Sequence, residues 1–155
     1  MTSETVSDIV AQRVRQLRKS QGMKATDLAE KCRELGMPHL TAATISNIET
    51  GRRDKDGRRR RNIDVDELLV LAHALNVAPV HLMVPTEGDD TPYPVLPSLQ
   101  VPRKLARWFI RGFESLPGQN WRRWLVEAPE TEAIEREHDT FTIRVPKKGT
   151  DNAGR

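Results

Sequence analysis

The sequence predicts an all-α fold: a five-helix domain over residues 6–84, a Pro-rich linker over 85–102, and a small, mostly helical C-terminal unit over 103–145. Three observations predict it. Apolar residues recur at helical spacing in five successive segments of the first half, each with its own capping signals. The connections between those segments are short. Pro85, Pro92, Pro94, Pro97 and Pro102 then interrupt the chain together with Glu87, Asp89 and Asp90, a composition that reads as an extended linker.

Residues 1–5 are polar and are expected to fray. Ser7 is a candidate cap for a first helix, roughly Asp8 to Gln21, closed by Gly22, with Ile9, Val10, Val14 and Leu17 as its apolar stripe. A second helix is expected from Ala25 to Leu35. Leu28, Ala29, Cys32 and Leu35 face inward, and Gly36 ends it. Met37-Pro38-His39-Leu40 is the turn into a third helix. Asp64 caps a fourth, with Glu67 reaching back in a capping box and Ile63 and Leu68 as a hydrophobic staple. Leu68, Leu69, Leu71, Ala72 and Leu75 are its expected buried face, and Asn76 its end. Pro79 opens a fifth helix ending near Met83.

The third helix, within Thr41 to Arg53, has two faces. Ile45 and Ile48 lie three apart and point inward. Ala42, Ala43, Ser46, Asn47 and Thr50 fall on the other side. Thr41 caps the start, and Gly51 suits a left-handed end. The outward face is small and uncharged, fit to lie flat against a partner and hydrogen-bond at close range. Dense positive charge follows: Arg52 to Arg61 carries seven basic and two acidic residues. A smooth polar helix beside such charge suggests a helix presented to DNA; the plain alternative is a surface helix with a solvated basic loop.

Beyond the linker, Leu105, Trp108, Phe109, Ile110, Phe113 and Leu116 suggest one helix up to Gly112 and a turn at Leu116-Pro117-Gly118. Trp121, Trp124 and Leu125 suggest a second. Glu130 to Glu137 reads as an acidic helix or a solvated run. Phe141, Ile143 and Val145 alternate with polar residues as in a short strand, or stay disordered. Residues 146–155 read as a disordered tail. A unit this apolar is expected to pack or self-associate more readily than to hold a ligand.

The chain has 155 residues, 37% of them apolar, which suffices for one modest core. The net charge of +3 is small, but its distribution is uneven: 14 Lys/Arg against 11 Asp/Glu through Met83, and 11 against 11 thereafter. Local clustering matters more for nucleic acid than the total. Cys32 is the sole cysteine, so an intrachain disulfide scaffold is excluded, and it reads as a small buried hydrophobe. The N-terminus lacks a basic segment followed by an apolar core, and no apolar run approaches the ~20 residues of a membrane span. A cytoplasmic protein without membrane attachment is expected. His39, His73, His81 and His138 have no metal-ligand spacing with one another or with Cys32. No Gly-rich phosphate loop and no nucleophile with a nearby base is visible. The expectation is therefore no enzyme, no metal and no cofactor.

The set Val14, Leu17, Arg18 and Gly22; Asp27-Leu28-Ala29-Glu30; Thr44-Ile45-Ser46-Asn47-Ile48-Glu49 with Gly51-Arg52; Leu68, Leu71-Ala72, Leu75 and Val77; and Pro79 and Leu82 resembles the helix-turn-helix domain of the Cro and lambda-repressor family, also called the xenobiotic-response-element type. The resemblance covers about half the chain. The longer spacing after the second helix, with a basic segment before Asp64-Val65-Asp66-Glu67-Leu68, looks like regulators common in actinobacteria. Lys24 and Ala25 depart from it: the family usually has Ser or Thr capping the second helix, with Gln beside it.

The resemblance implies a sequence-specific DNA-binding transcriptional regulator. Carried over residue by residue, its base-facing positions are Ala42, Ala43 and Asn47, with Thr44 close by and Thr41 at the phosphate-facing cap. Arg18 and Glu49 match a structural ion pair of the family. The basic run, Arg52, Arg53, Arg58, Arg59, Arg60 and Arg61, is expected at phosphate or in the minor groove. The expected partner is double-stranded DNA, bound by a homodimer with half-sites about one DNA turn, ~34 Å, apart. The competing function is an antitoxin-like or adaptor protein using the same fold to bind protein, which would not need the basic loop.

Overall fold

The computed structural model describes residues 4–57, 59–127, 134–137 and 140–143. Five helices open the chain: α1 (Val6–Ser20), α2 (Ala25–Glu34), α3 (Ala42–Thr50), α4 (Val65–Ala74) and α5 (Pro79–Met83). They share one core. Val10, Ala11 and Val14 of α1, Leu28 and Cys32 of α2, Ile45 and Ile48 of α3, and Leu71, Ala72 and Ala74 of α4 meet there with Leu40, Leu75 and Leu82. Burial pushes the Cys32 thiol up to about 11, so the side chain acts as an apolar filler.

The caps explain where the helices begin. α1 starts before Ser7, because Thr5 and Asp8 form the capping box: the Thr5 hydroxyl accepts from the Asp8 amide at 3.2 Å, and Asp8 Oδ2 accepts from the Thr5 amide at 3.1 Å. Lys24 gives α2 no acceptor. The Asp27 carboxylate instead takes the Lys24 amide, at 2.7 Å. α4 has the Asp64–Glu67 box expected of it. Leu69 is a correction: it is 51% exposed. Leu68, Leu71, Ala72 and Leu75 follow the i, i+3, i+4, i+7 stripe into the core, and Leu69 falls outside it beside exposed Val65.

The stretch expected as a linker is folded in part. β1 (Pro92–Leu96) and β2 (Leu99–Pro102) pair antiparallel, Tyr93 opposite Val101, with a register shift before Leu96. Both strands of a two-stranded ribbon are edges, so prolines are tolerated there. Tyr93 is buried, and its hydroxyl donates to the Met83 carbonyl at 2.7 Å, tying the hairpin to the end of α5. The fold is therefore mainly helical with a small sheet.

The chain divides into two compact units, Met1–Arg107 and Trp108–Arg155, the division falling within α6 (Arg103–Ile110). In the second unit Gly112 turns the chain at φ 77°, and Asn120 Oδ1 accepts from the Arg122 and Arg123 amides to start α7 (Trp121–Val126). β3 (Ile134–Glu137) pairs antiparallel with β4 (Thr140–Ile143). A helix across Glu130 to Glu137 is thus overturned for residues 134–137. Residues 130–133, Val145 and the tail 146–155 lie outside the described residues.

Candidate nucleic-acid interface

α3 is built to expose one uncharged stripe. Thr41 caps it, accepting from the Thr44 amide at 3.2 Å. Gly51 ends it at φ 60°, in the left-handed conformation. Ile45 and Ile48 are buried on the inner side. Ala43, Ser46, Asn47 and Thr50 are exposed, at i, i+3, i+4 and i+7, while Ala42 and Thr44 are half-buried. Asn47 is the one long polar side chain of the stripe. Its amide has no hydrogen-bond partner among the described residues, so two donors and an acceptor remain available.

Thr44 is occupied differently. Its hydroxyl donates to the His39 carbonyl at 3.1 Å and lies 3.0 Å from the Thr41 hydroxyl, so it fixes the turn ahead of α3. Thr50 donates to the Ser46 carbonyl at 2.8 Å. Ser46, absent from the carried-over positions, is exposed with a free hydroxyl among the described residues. Helical spacing alone already placed it beside Asn47.

The basic segment after α3 is a closed loop. Arg53 and Arg59 form an antiparallel bridge, and the Arg60 amide donates to the Arg52 carbonyl at 2.9 Å. This alternation sorts the arginines. Arg59 turns inward, its side chain only 5% exposed. Both terminal nitrogens donate to the Ile48 carbonyl, at 2.9 and 2.7 Å, and Nε lies 3.3 Å from Asp8 Oδ1. Arg59, expected at phosphate, has its guanidinium held by a buried carboxylate and a helix carbonyl. Arg53 shares Asp8 at 3.2 Å and Arg61 pairs with Glu67, each side chain remaining about half exposed. Arg52 and Arg60 are exposed and unpaired among the described residues, as is Lys55, which composition alone did not single out. Arg58 lies outside the described residues.

Arg18 and Glu49 join α1 to α3 through two parallel bonds, Nε to Oε1 at 2.6 Å and a terminal nitrogen to Oε2 at 2.7 Å. The other terminal nitrogen donates to the Met23 carbonyl at 2.7 Å. A second anchor sits at Glu67, which is 1% exposed and takes Arg61 and, at 3.4 Å, His39 Nε2. The helix presented to solvent is thus braced at its start through His39, along its length by Glu49 and at its end by Arg59.

Residues 9–82 match a family model described as a helix-turn-helix domain. The segment is similar to helix-turn-helix domains. It takes in α1 from Ile9 onward, α2 to α4, and α5 up to Leu82, a little under half of the chain. Neither the curated proteins nor the solved structures searched contain a match to this chain. Helix-turn-helix domains are DNA-binding modules of regulators in general, typically without enzymatic activity, and place their second helix of the pair in the major groove. In this domain the pair is α2 and α3. Among the described residues, no group of three or more His, Cys, Asp or Glu side chains is placed to hold a metal ion, and no helix is long and apolar enough to cross a membrane.

Asp8 makes the domain acid-sensitive. Burial acts to raise its pKa, but the Thr5 hydrogen bonds and the Arg53 and Arg59 charges outweigh that and hold it below the ordinary 3.8. A depressed carboxyl contributes stability above its unfolded pKa and loses it as pH falls through the folded value. Asp8→Asn is therefore expected to melt below wild type at pH 7. The gap should close as pH drops below about 4. Melting curves of both proteins from pH 7 to pH 2 check this; a gap that does not change with pH would rule it out.

Proposed function

We propose that this chain is a sequence-specific DNA-binding transcriptional regulator of the Cro and lambda-repressor type. In this reading it acts in the cytoplasm, as a homodimer, reading the major groove with α3. The observation that carries the reading is the stripe of Ala43, Ser46, Asn47 and Thr50: uncharged, exposed, and offering a free Asn47 amide beside exposed Arg52 and Arg60. An asparagine makes its bidentate contact with adenine N6 and N7. The alanines offer only apolar contact, for which the thymine methyl is the match in the groove. The expected half-site has A·T pairs under α3, with phosphates supplying much of the affinity.

The experiment selects bound sequences from a random DNA pool and then titrates wild type and Asn47→Ala on the selected duplex and on a scrambled one, at one salt concentration. Asn47→Ala should lose about 1–3 kcal/mol on the selected duplex and little on the scrambled one. Equal losses on both would remove Asn47 from base reading. A chain that binds no duplex would favour the adaptor role instead.

A further inference from the structure

Resting on the DNA-binding reading, we infer that Arg59 is a positioning residue: with Asp8 it fixes the C-terminal end of α3 against α1, and it contributes to sequence discrimination without touching DNA. Three observations converge. The Arg59 guanidinium donates twice to the Ile48 carbonyl, one of the last four carbonyls of α3, which the helix itself leaves without partners. The same guanidinium reaches Asp8 in the first turn of α1. It also lies against Gly51, where a Cβ would come within 3.2 Å of its terminal nitrogen. The turn that ends α3 therefore packs against this side chain, and a Cβ at Gly51 would crowd the guanidinium as well as strain the left-handed φ. Arg53, on the same carboxylate, closes the loop from its other arm through the Gly57 carbonyl at 2.9 Å.

The consequence is a division of labour within one run of like residues. Arg60, adjacent in sequence, faces solvent and is placed to meet phosphate, so it carries affinity for any duplex. Arg59 carries none directly. It sets where Asn47, one residue before Ile48, presents its amide. A lysine in its place would keep the charge but lose the planar fork that holds one carbonyl with two donors.

The test uses the full chain with the selected and scrambled duplexes, each titrated over a range of salt. Arg59→Lys should lose about tenfold on the selected duplex, the weight of one charge-assisted hydrogen bond, with the scrambled duplex and both salt slopes unchanged. Arg60→Ala should weaken both duplexes alike and lower the slope by ~1. Because Arg53 shares the Asp8 carboxylate, Asp8→Asn is made and compared in an Arg53→Ala background, where it gives an answer of opposite sign under the two roles of Arg59. If Arg59 positions α3, Asp8→Asn loses discrimination. If Arg59 binds phosphate, removing its internal partner frees it, and both duplexes bind more tightly with a steeper slope. Near-wild-type discrimination in Arg59→Lys, or tighter binding of both duplexes by Asp8→Asn, overturns the inference. Should Arg59→Lys fail to fold, shown by its circular dichroism, Asp8→Asn decides alone. A wild type that selects no sequence overturns the DNA-reading proposal itself, and this inference with it.

Discussion

Arg18→Met is expected to destabilise the folded chain by about 3 kcal/mol, the lower end of the range for breaking a buried ion pair. The lower end applies because the arginine retains some solvent: the side chains are 12% and 6% exposed. The loss has two parts. Glu49 would keep its charge in a site built for two donors, and the Met23 carbonyl would lose its partner. For a domain of this size that corresponds to a fall in melting temperature of roughly 15 °C. The hydrogen bonds that Arg18 donates to Glu49 raise the arginine's pKa further, so its guanidinium keeps its charge. Replacing both residues with Met should recover part of the loss, because no charge is then stranded. A single variant melting within ~2 °C of wild type would show that the pair is solvated and does not brace α3.

The helices were legible because each rule that marks them is local. Periodicity found most of each core face but failed at Leu35 and Leu69, which are 39% and 51% exposed, and Thr41, Gly51, Asp64 and Pro79 stood at the helix ends they mark. Ser7 failed because Asp8 favours the threonine three residues before it. The Arg18–Glu49 pair, expected from the family resemblance, spans 31 residues that no local pattern connects. The arginine run was not legible at all below the level of its composition. Which members turn inward is decided by Asp8, 45 residues from Arg53 and 51 from Arg59, and by the backbone bridge that alternates their directions. Counting charge therefore overstated the cationic surface: of the seven basic residues, Arg59 is buried, and Arg53 and Arg61 are held by carboxylates. The hairpin was hidden for a different reason. Its prolines read as a linker, and the signal against that reading was Tyr93, a large amphipathic side chain with no place in a solvated spacer.

Glu67→Ala should cost about 2–3 kcal/mol, a sum of two losses of different kind. One is the capping box: Glu67 Oε2 accepts from the Asp64 amide at 3.3 Å, and losing a cap contributes ~1 kcal/mol. The other is the buried carboxylate as partner to Arg61, at ~1.5–3 kcal/mol for a charged hydrogen bond, with the His39 ring 3.4 Å away. That part is discounted because Arg61 and His39 are 44% and 60% exposed and regain water when released. Glu67→Gln separates the two. It keeps an acceptor for the cap and the buried volume, so it should lose only about 1 kcal/mol, from the charge. Urea midpoints at unchanged m-value measure both. A Glu67→Ala midpoint equal to that of wild type would mean that Glu67 holds neither the cap nor the turn. The effect should also reach α3. His39 precedes Leu40 and Thr41, and the Thr44 hydroxyl is bonded to the His39 carbonyl. Freeing His39 loosens the turn that sets the first residues of the exposed stripe. In the Glu67→Ala variant, amide exchange should therefore quicken at Thr44 and Ile45 before it quickens at the buried α1 amide of Val14. Equal acceleration at all three would mean a global loss of stability, with no local brace at the start of α3.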